Sequence, residues 1–96
     1  MKKININPEK IYITRGINNI IEEKPGHHTS LGFILHDFSE CRFHSSMDAE
    51  DLELNMQAVE EQSGRVLAPY VLDGKTIWII HYFEDKTTTI LLPEEY

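Results

Sequence analysis

Basic residues are scarce in this chain. Nine lysines and arginines stand against sixteen aspartates and glutamates in 96 residues, a formal net charge of −7 with histidine neutral. Such a surface is repelled by nucleic-acid phosphates, and Lys2, Lys3 and Arg15 do not make a basic patch, so direct DNA or RNA binding is disfavoured. The partner that charge favours is a basic protein surface, including the cleft of a protein that itself holds nucleic acid. The alternative is that acidity serves solubility alone. Cysteine is almost absent: Cys41 stands by itself. No intramolecular disulfide can form, and the chain needs no oxidising compartment. No apolar run approaches the ~20 residues of a membrane span. The first residues carry two lysines but no apolar core of signal-peptide length. A cytoplasmic protein without membrane attachment is expected. There is no Gly-rich phosphate loop, no dinucleotide fingerprint and no Gly-x-Ser-x-Gly elbow. Repeats, low-complexity tracts and linkers are missing too.

What is present reads as one domain over residues 1–96, since 41% hydrophobic and 26% charged residues suit a single small core. The clearest stretch is Arg65 to Tyr96, a β-meander. Asp73-Gly74 supplies a hairpin turn, and Pro69 puts its first strand at an edge or a bulge. Thr76 to Phe83 is apolar on both faces and reads as a central strand, with Trp78, Ile79 and Ile80 as core. Thr87 to Leu92 is the last strand, stopped by Pro93. Upstream, Lys10 to Arg15 favours a strand that Gly16 ends or bends. Ile17, Ile20 and Ile21 fit one or two helical turns, and Lys24-Pro25-Gly26 forces a turn. Leu31 to Phe38 fits strand or helix; a helix would be capped by Ser30 and share Leu31, Ile34, Leu35 and Phe38 on one face. Asp48 to Gln62 predicts a helix with Ala49, Leu52, Met56 and Val59 as its inner stripe. Asp48 or Ser46 would cap it, and Ser63-Gly64 would stop it. Alternation of Leu52, Leu54, Met56 and Ala58 leaves a strand open there. The expected fold is α+β: a small antiparallel sheet of three to five strands with one or two helices on one face.

Chemistry-bearing residues are few. Cys41 and His44 have a Cys-x2-His spacing that His27 and His28 could complete, but zinc sites usually use two closely spaced pairs and a second thiol pair is missing. His81 is expected to be hydrogen-bonded within the sheet. Cys41 lies between Glu40 and Arg42, with nothing local to activate a thiol. No metal, cofactor or catalytic set is expected, and the chain reads as a non-enzyme. The best-defined surface feature is the acidic helix. Between Arg42 and Arg65 there is no lysine or arginine. At about 100° per residue, Glu50, Glu53, Glu60 and Glu61 share one arc with Gln57, turned away from the apolar stripe. That arc is the candidate partner-binding site: a negative ridge that can imitate phosphates and occupy a basic groove. A solvated outer face is the plainer alternative.

Two segments carry a resemblance. Tyr12-Ile-Thr-Arg-Gly-Ile17, and Ile77-Trp-Ile-Ile80 with Thr88-Thr-Ile-Leu-Leu-Pro-Glu-Glu-Tyr96, resemble a family of short uncharacterised proteins of Gram-positive bacteria and their phages and plasmids, the domain of unknown function numbered nine-sixty. The likeness is confined to the two ends, and Leu-Pro-Glu-Glu-Tyr is its most specific part. The middle departs from the family pattern, which implies a strand over Leu52 to Ala58 instead of a helix. The family assigns no catalytic residues. It implies a mobile-element setting, in which small acidic proteins inhibit host nucleic-acid enzymes as anti-CRISPR or anti-restriction factors. A second expectation is a structural or homo-oligomerising domain that pairs through an open meander edge near Thr87 to Leu92. A small metal- or thiol-dependent enzyme is a third.

Overall fold

The structure, a computed structural model, describes residues 2–43 and 47–96. A 3-10 turn at Pro8–Lys10 leads into β1 (Ile11–Ile13), followed by α1 (Arg15–Glu23), α2 (Gly26–Ser39) and α3 (Ala49–Glu61). The meander is β2 (Arg65–Leu72), β3 (Lys75–Tyr82) and β4 (Thr87–Leu91), and a 3-10 turn at Pro93–Glu95 follows. The fold is α+β, with one four-stranded sheet in the order β1-β4-β3-β2.

The meander forms for local reasons. Asp73 and Gly74 both adopt positive φ, 53° and 74°, which closes a two-residue turn between Leu72 and Lys75. β3 lies between β2 and β4 and is antiparallel to both. β1 then adds to the far side of β4 in parallel, with Ile11 opposite Thr88 and Ile13 opposite Ile90. The sheet is therefore mixed, and β4 is an interior strand. The edge expected near Thr87 to Leu92 does not exist, because β1 occupies it; the open edges belong to β1 and β2. The described residues also form three α-helices where one or two were expected.

The helices follow apolar spacing. In α1, Ile17, Ile20 and Ile21 are the buried residues. Gly16 does not end the strand, which stops at Ile13; it lies in the first turn of α1. A Cβ there would come within 2.5 Å of Leu92 Cδ1 and 2.9 Å of a Glu95 carboxylate oxygen, so glycine permits that close approach. Residues 31–38 are helical and belong to α2, with Leu31 and Phe38 buried and Ile34 and Leu35 against the core. Ser30 is inside this helix and caps nothing; the helix starts at Gly26 because Pro25, with φ −57° and ψ −32°, already has helical geometry. The helix ends at Ser39, and just beyond its cap the φ of 62° at Cys41 lets the Arg42 N–H reach the Asp37 carbonyl at 2.8 Å.

α3 covers the region that the family resemblance makes a strand. Asp48 occupies the N-cap position, but its side chain bonds no helix N–H and so does not cap it as expected; the helix stops at Gln62 (φ 53°), slightly before the expected Ser63-Gly64. Ser46, the other candidate cap, lies outside the described residues. The inner face is rotated from the expected stripe: Asn55 and Val59 are buried, whereas Ala49 and Leu52 are exposed. Val66, Ala68, Tyr70 and Leu72 of β2, with Ile77 and Ile79 of β3 and Ile90 of β4, form one sheet face. They pack on Ile4, Ile17, Ile20, Ile21, Leu31, Phe38 and Val59. Trp78 points to the opposite face and is half-buried, so it is not core. No helix is long and apolar enough to cross a membrane among the described residues.

Candidate partner-binding surface

α3 is bound to the sheet by the amide of Asn55 beside the buried Val59, not by the whole Ala49, Leu52, Met56 and Val59 stripe. Asn55 Nδ2 donates to the Leu67 carbonyl at 2.8 Å, and the Leu67 N–H donates to Asn55 Oδ1 at 3.3 Å. The side chain thus pairs with the outward edge of β2 as a neighbouring strand would, and it is 6% exposed. In β2, residues alternate between bonding β3 and facing outward, so Pro69 shares the outward phase of Leu67. Its missing N–H falls where β3 needs no donor. Asn55 and Pro69 together blunt this edge against further strand pairing.

With Asn55 and Val59 turned inward, the opposite side of α3 faces solvent. Glu50, Glu53, Glu60 and Glu61 are all exposed there, with Gln57 between them. At 1.5 Å per residue the row is about 16 Å long. Two ion pairs of lysine or arginine are present among the described residues, Lys3–Glu40 at 2.6 Å and Arg42–Asp37 at 3.5 Å, and His27 Nε2 lies 3.5 Å from an Asp73 carboxylate oxygen. None uses a carboxylate of α3. Lys2 does approach the helix, but it donates to the Glu60 carbonyl at 2.8 Å, at the negative end of the helix dipole. The four candidate residues are therefore brought together on one exposed surface, with no ion pair to their carboxylates among the described residues.

Among the described residues, the histidines and the thiol do not cluster. His27 and Cys41 sit at opposite ends of α2, about 20 Å apart for a helix of this length, so they cannot share an ion. His44 lies outside the described residues, and no group of three or more metal-ligating side chains occurs among the described ones. Burial and the charge of Glu40 push the Cys41 thiol up, away from the thiolate. His27 is buried, with Nδ1 on the Ile20 carbonyl and Nε2 near Asp73. His81 is hydrogen-bonded to Thr88 Oγ1 at 2.9 Å across the sheet, and burial lowers its pKa.

The end of the chain is fastened by Glu95. Its carboxylate accepts from the Thr14 hydroxyl, from the Gly16 N–H at 3.0 Å and from the Leu92 N–H at 2.9 Å. These bonds hold its pKa below the usual carboxylate range. The clamp joins the start of α1 to the residues that follow β4. Sequence reasoning missed the clamp and Asn55, because a polar residue that bonds backbone leaves no periodic signal. One local sign was legible: Leu54 lies off the apolar stripe, and it is 59% exposed.

No family model matches the chain, and neither a curated protein nor a solved structure matches it.

Proposed function

We propose that the protein is a non-enzymatic binding module that docks on a basic protein surface through the outer face of α3. In its concrete form it acts in the cytoplasm as a nucleic-acid-mimicking inhibitor of a host enzyme, of the anti-CRISPR or anti-restriction kind. The observation that supports this reading is the exposed row Glu50, Glu53, Glu60 and Glu61, in no ion pair among the described residues, on a helix whose other side is tied to the sheet. Four charges over about 16 Å come to one per ~4–5 Å. One nucleic-acid strand has a phosphate every ~3.4 Å and the duplex a charge every ~1.7 Å. The ridge is thus closer in density to a single strand, and the favoured partner surface is a cleft of single-strand width.

The test is capture of partners from a host lysate at low and high salt, followed by titration of the captured protein. Binding should weaken with salt. Converting Glu50, Glu53, Glu60 and Glu61 together to Gln should reduce affinity by about tenfold or more. Unchanged affinity in that variant would overturn the reading.

A further inference from the structure

Where Asn55 ties α3 to β2, a groove of about 620 Å³ opens on the outer face of the sheet. Its volume lies within the range of small-ligand clefts. Asp48, Asp51 and Leu54 line it from α3. The facing wall is aromatic: Trp78 and Tyr96 meet edge to face, ring centroids 5.6 Å apart. Leu67 and Pro69 also line it. Arg65 borders the groove, but its guanidinium is engaged, Nη1 donating to the Tyr96 hydroxyl at 3.1 Å. Tyr96 is held in place from behind, since Glu95 fastens the adjoining residue to Thr14 and Gly16.

These groups define one kind of occupant. An apolar lining takes an aliphatic stem. An aromatic wall attracts a cation, and a planar guanidinium best of all, because it can stack while its edge meets a carboxylate. Asp48 and Asp51 outnumber the single, already bonded Arg65, and the whole chain carries −7, so an anionic ligand is repelled. A second copy of this chain is repelled for the same reason. We propose that the groove is an arginine-binding site: a basic partner inserts an arginine, its guanidinium over Trp78 and against Asp48 and Asp51, its stem along Leu54. The proposal rests on the reading of α3 as the side that meets a basic partner. By helical angle Leu54 falls between the Glu50/Glu61 row and Asp51, so one partner surface can cover ridge and groove together.

Trp78 is the only tryptophan, so its emission reports on the groove directly. The probe is a blocked Gly-Arg-Gly peptide, with citrulline replacing arginine as the neutral control. Saturable change in Trp78 emission with the arginine peptide alone is expected. Asp48→Asn with Asp51→Asn should weaken that binding about tenfold; asparagine suits the N-cap as aspartate does, so α3 should persist, as circular dichroism would verify. Converting Glu50, Glu53, Glu60 and Glu61 to Gln should change peptide affinity less than about twofold at high salt, which separates failure of the groove from failure of the ridge. No saturable response, equal binding of the citrulline peptide, or full affinity in the double Asn variant would each overturn the proposal.

Discussion

Single polar side chains do unusual duty here. Asn55 satisfies both backbone groups of Leu67 from a helix. Asn55→Ala would leave an N–H and a C=O unpaired at a half-buried edge, a loss of about 1–3 kcal/mol. Asn55→Asp should cost at least as much, since a carboxylate would face the Leu67 carbonyl. Urea unfolding measures both; a loss below about 0.5 kcal/mol would mean that the amide pairing contributes little. His81 makes a second prediction. Burial disfavours its charged form in the folded state, so its pKa falls below the ordinary 6.5. The unfolded chain then takes up the proton first. Stability should decline as pH drops from about 6.5 toward the depressed value, and His81→Gln should flatten that decline. An identical pH profile in the variant would remove His81 as the cause.

At the scale of elements, the 3-10 turn at Pro93–Glu95 acts as a clasp between the β4 end and α1. The folded-state pKa of Glu95 is depressed by its three donors. Its contribution is therefore present above the ordinary glutamate value of 4.5 and lost as pH falls through the lower folded value. Glu95→Gln should release the Tyr96 ring from Trp78 at neutral pH, seen as a red shift and stronger quenching of Trp78 emission; unaltered emission would show that Tyr96 is held by other contacts. Elements also show what was readable from residues alone. The Asp73-Gly74 hairpin and the α1 isoleucine face were legible, because positive φ and a 3.6-residue period are local properties. The β1–β4 pair was not, because its two halves lie at opposite ends of the chain and leave no mark on each other's spacing. The face of Trp78 was hidden for a different reason: β3 is apolar on both sides, so alternation cannot say which side the helices cover. The acidic arc was placed correctly as a surface, yet the groove beside it was invisible, since it needs α3, β2, β3 and the last residue at once.

For the whole molecule, charge dominates association. With −7 on each copy and an isoelectric point near 5.1, the protein should be monomeric at pH 7 and associate increasingly as pH nears 5. Light scattering across that range checks this, and a stable dimer at pH 7 in low salt would restore the oligomer reading through one of the real edges. The parallel pairing of residues 11–13 with 88–90 has a consequence in time as well as in space. The first strand has no partner until the last one has been synthesised, so a chain emerging from the ribosome cannot complete its sheet early. Closing so long a loop is entropically slow. Folding should finish only once β4 has joined the sheet as the keystone between β1 and β3.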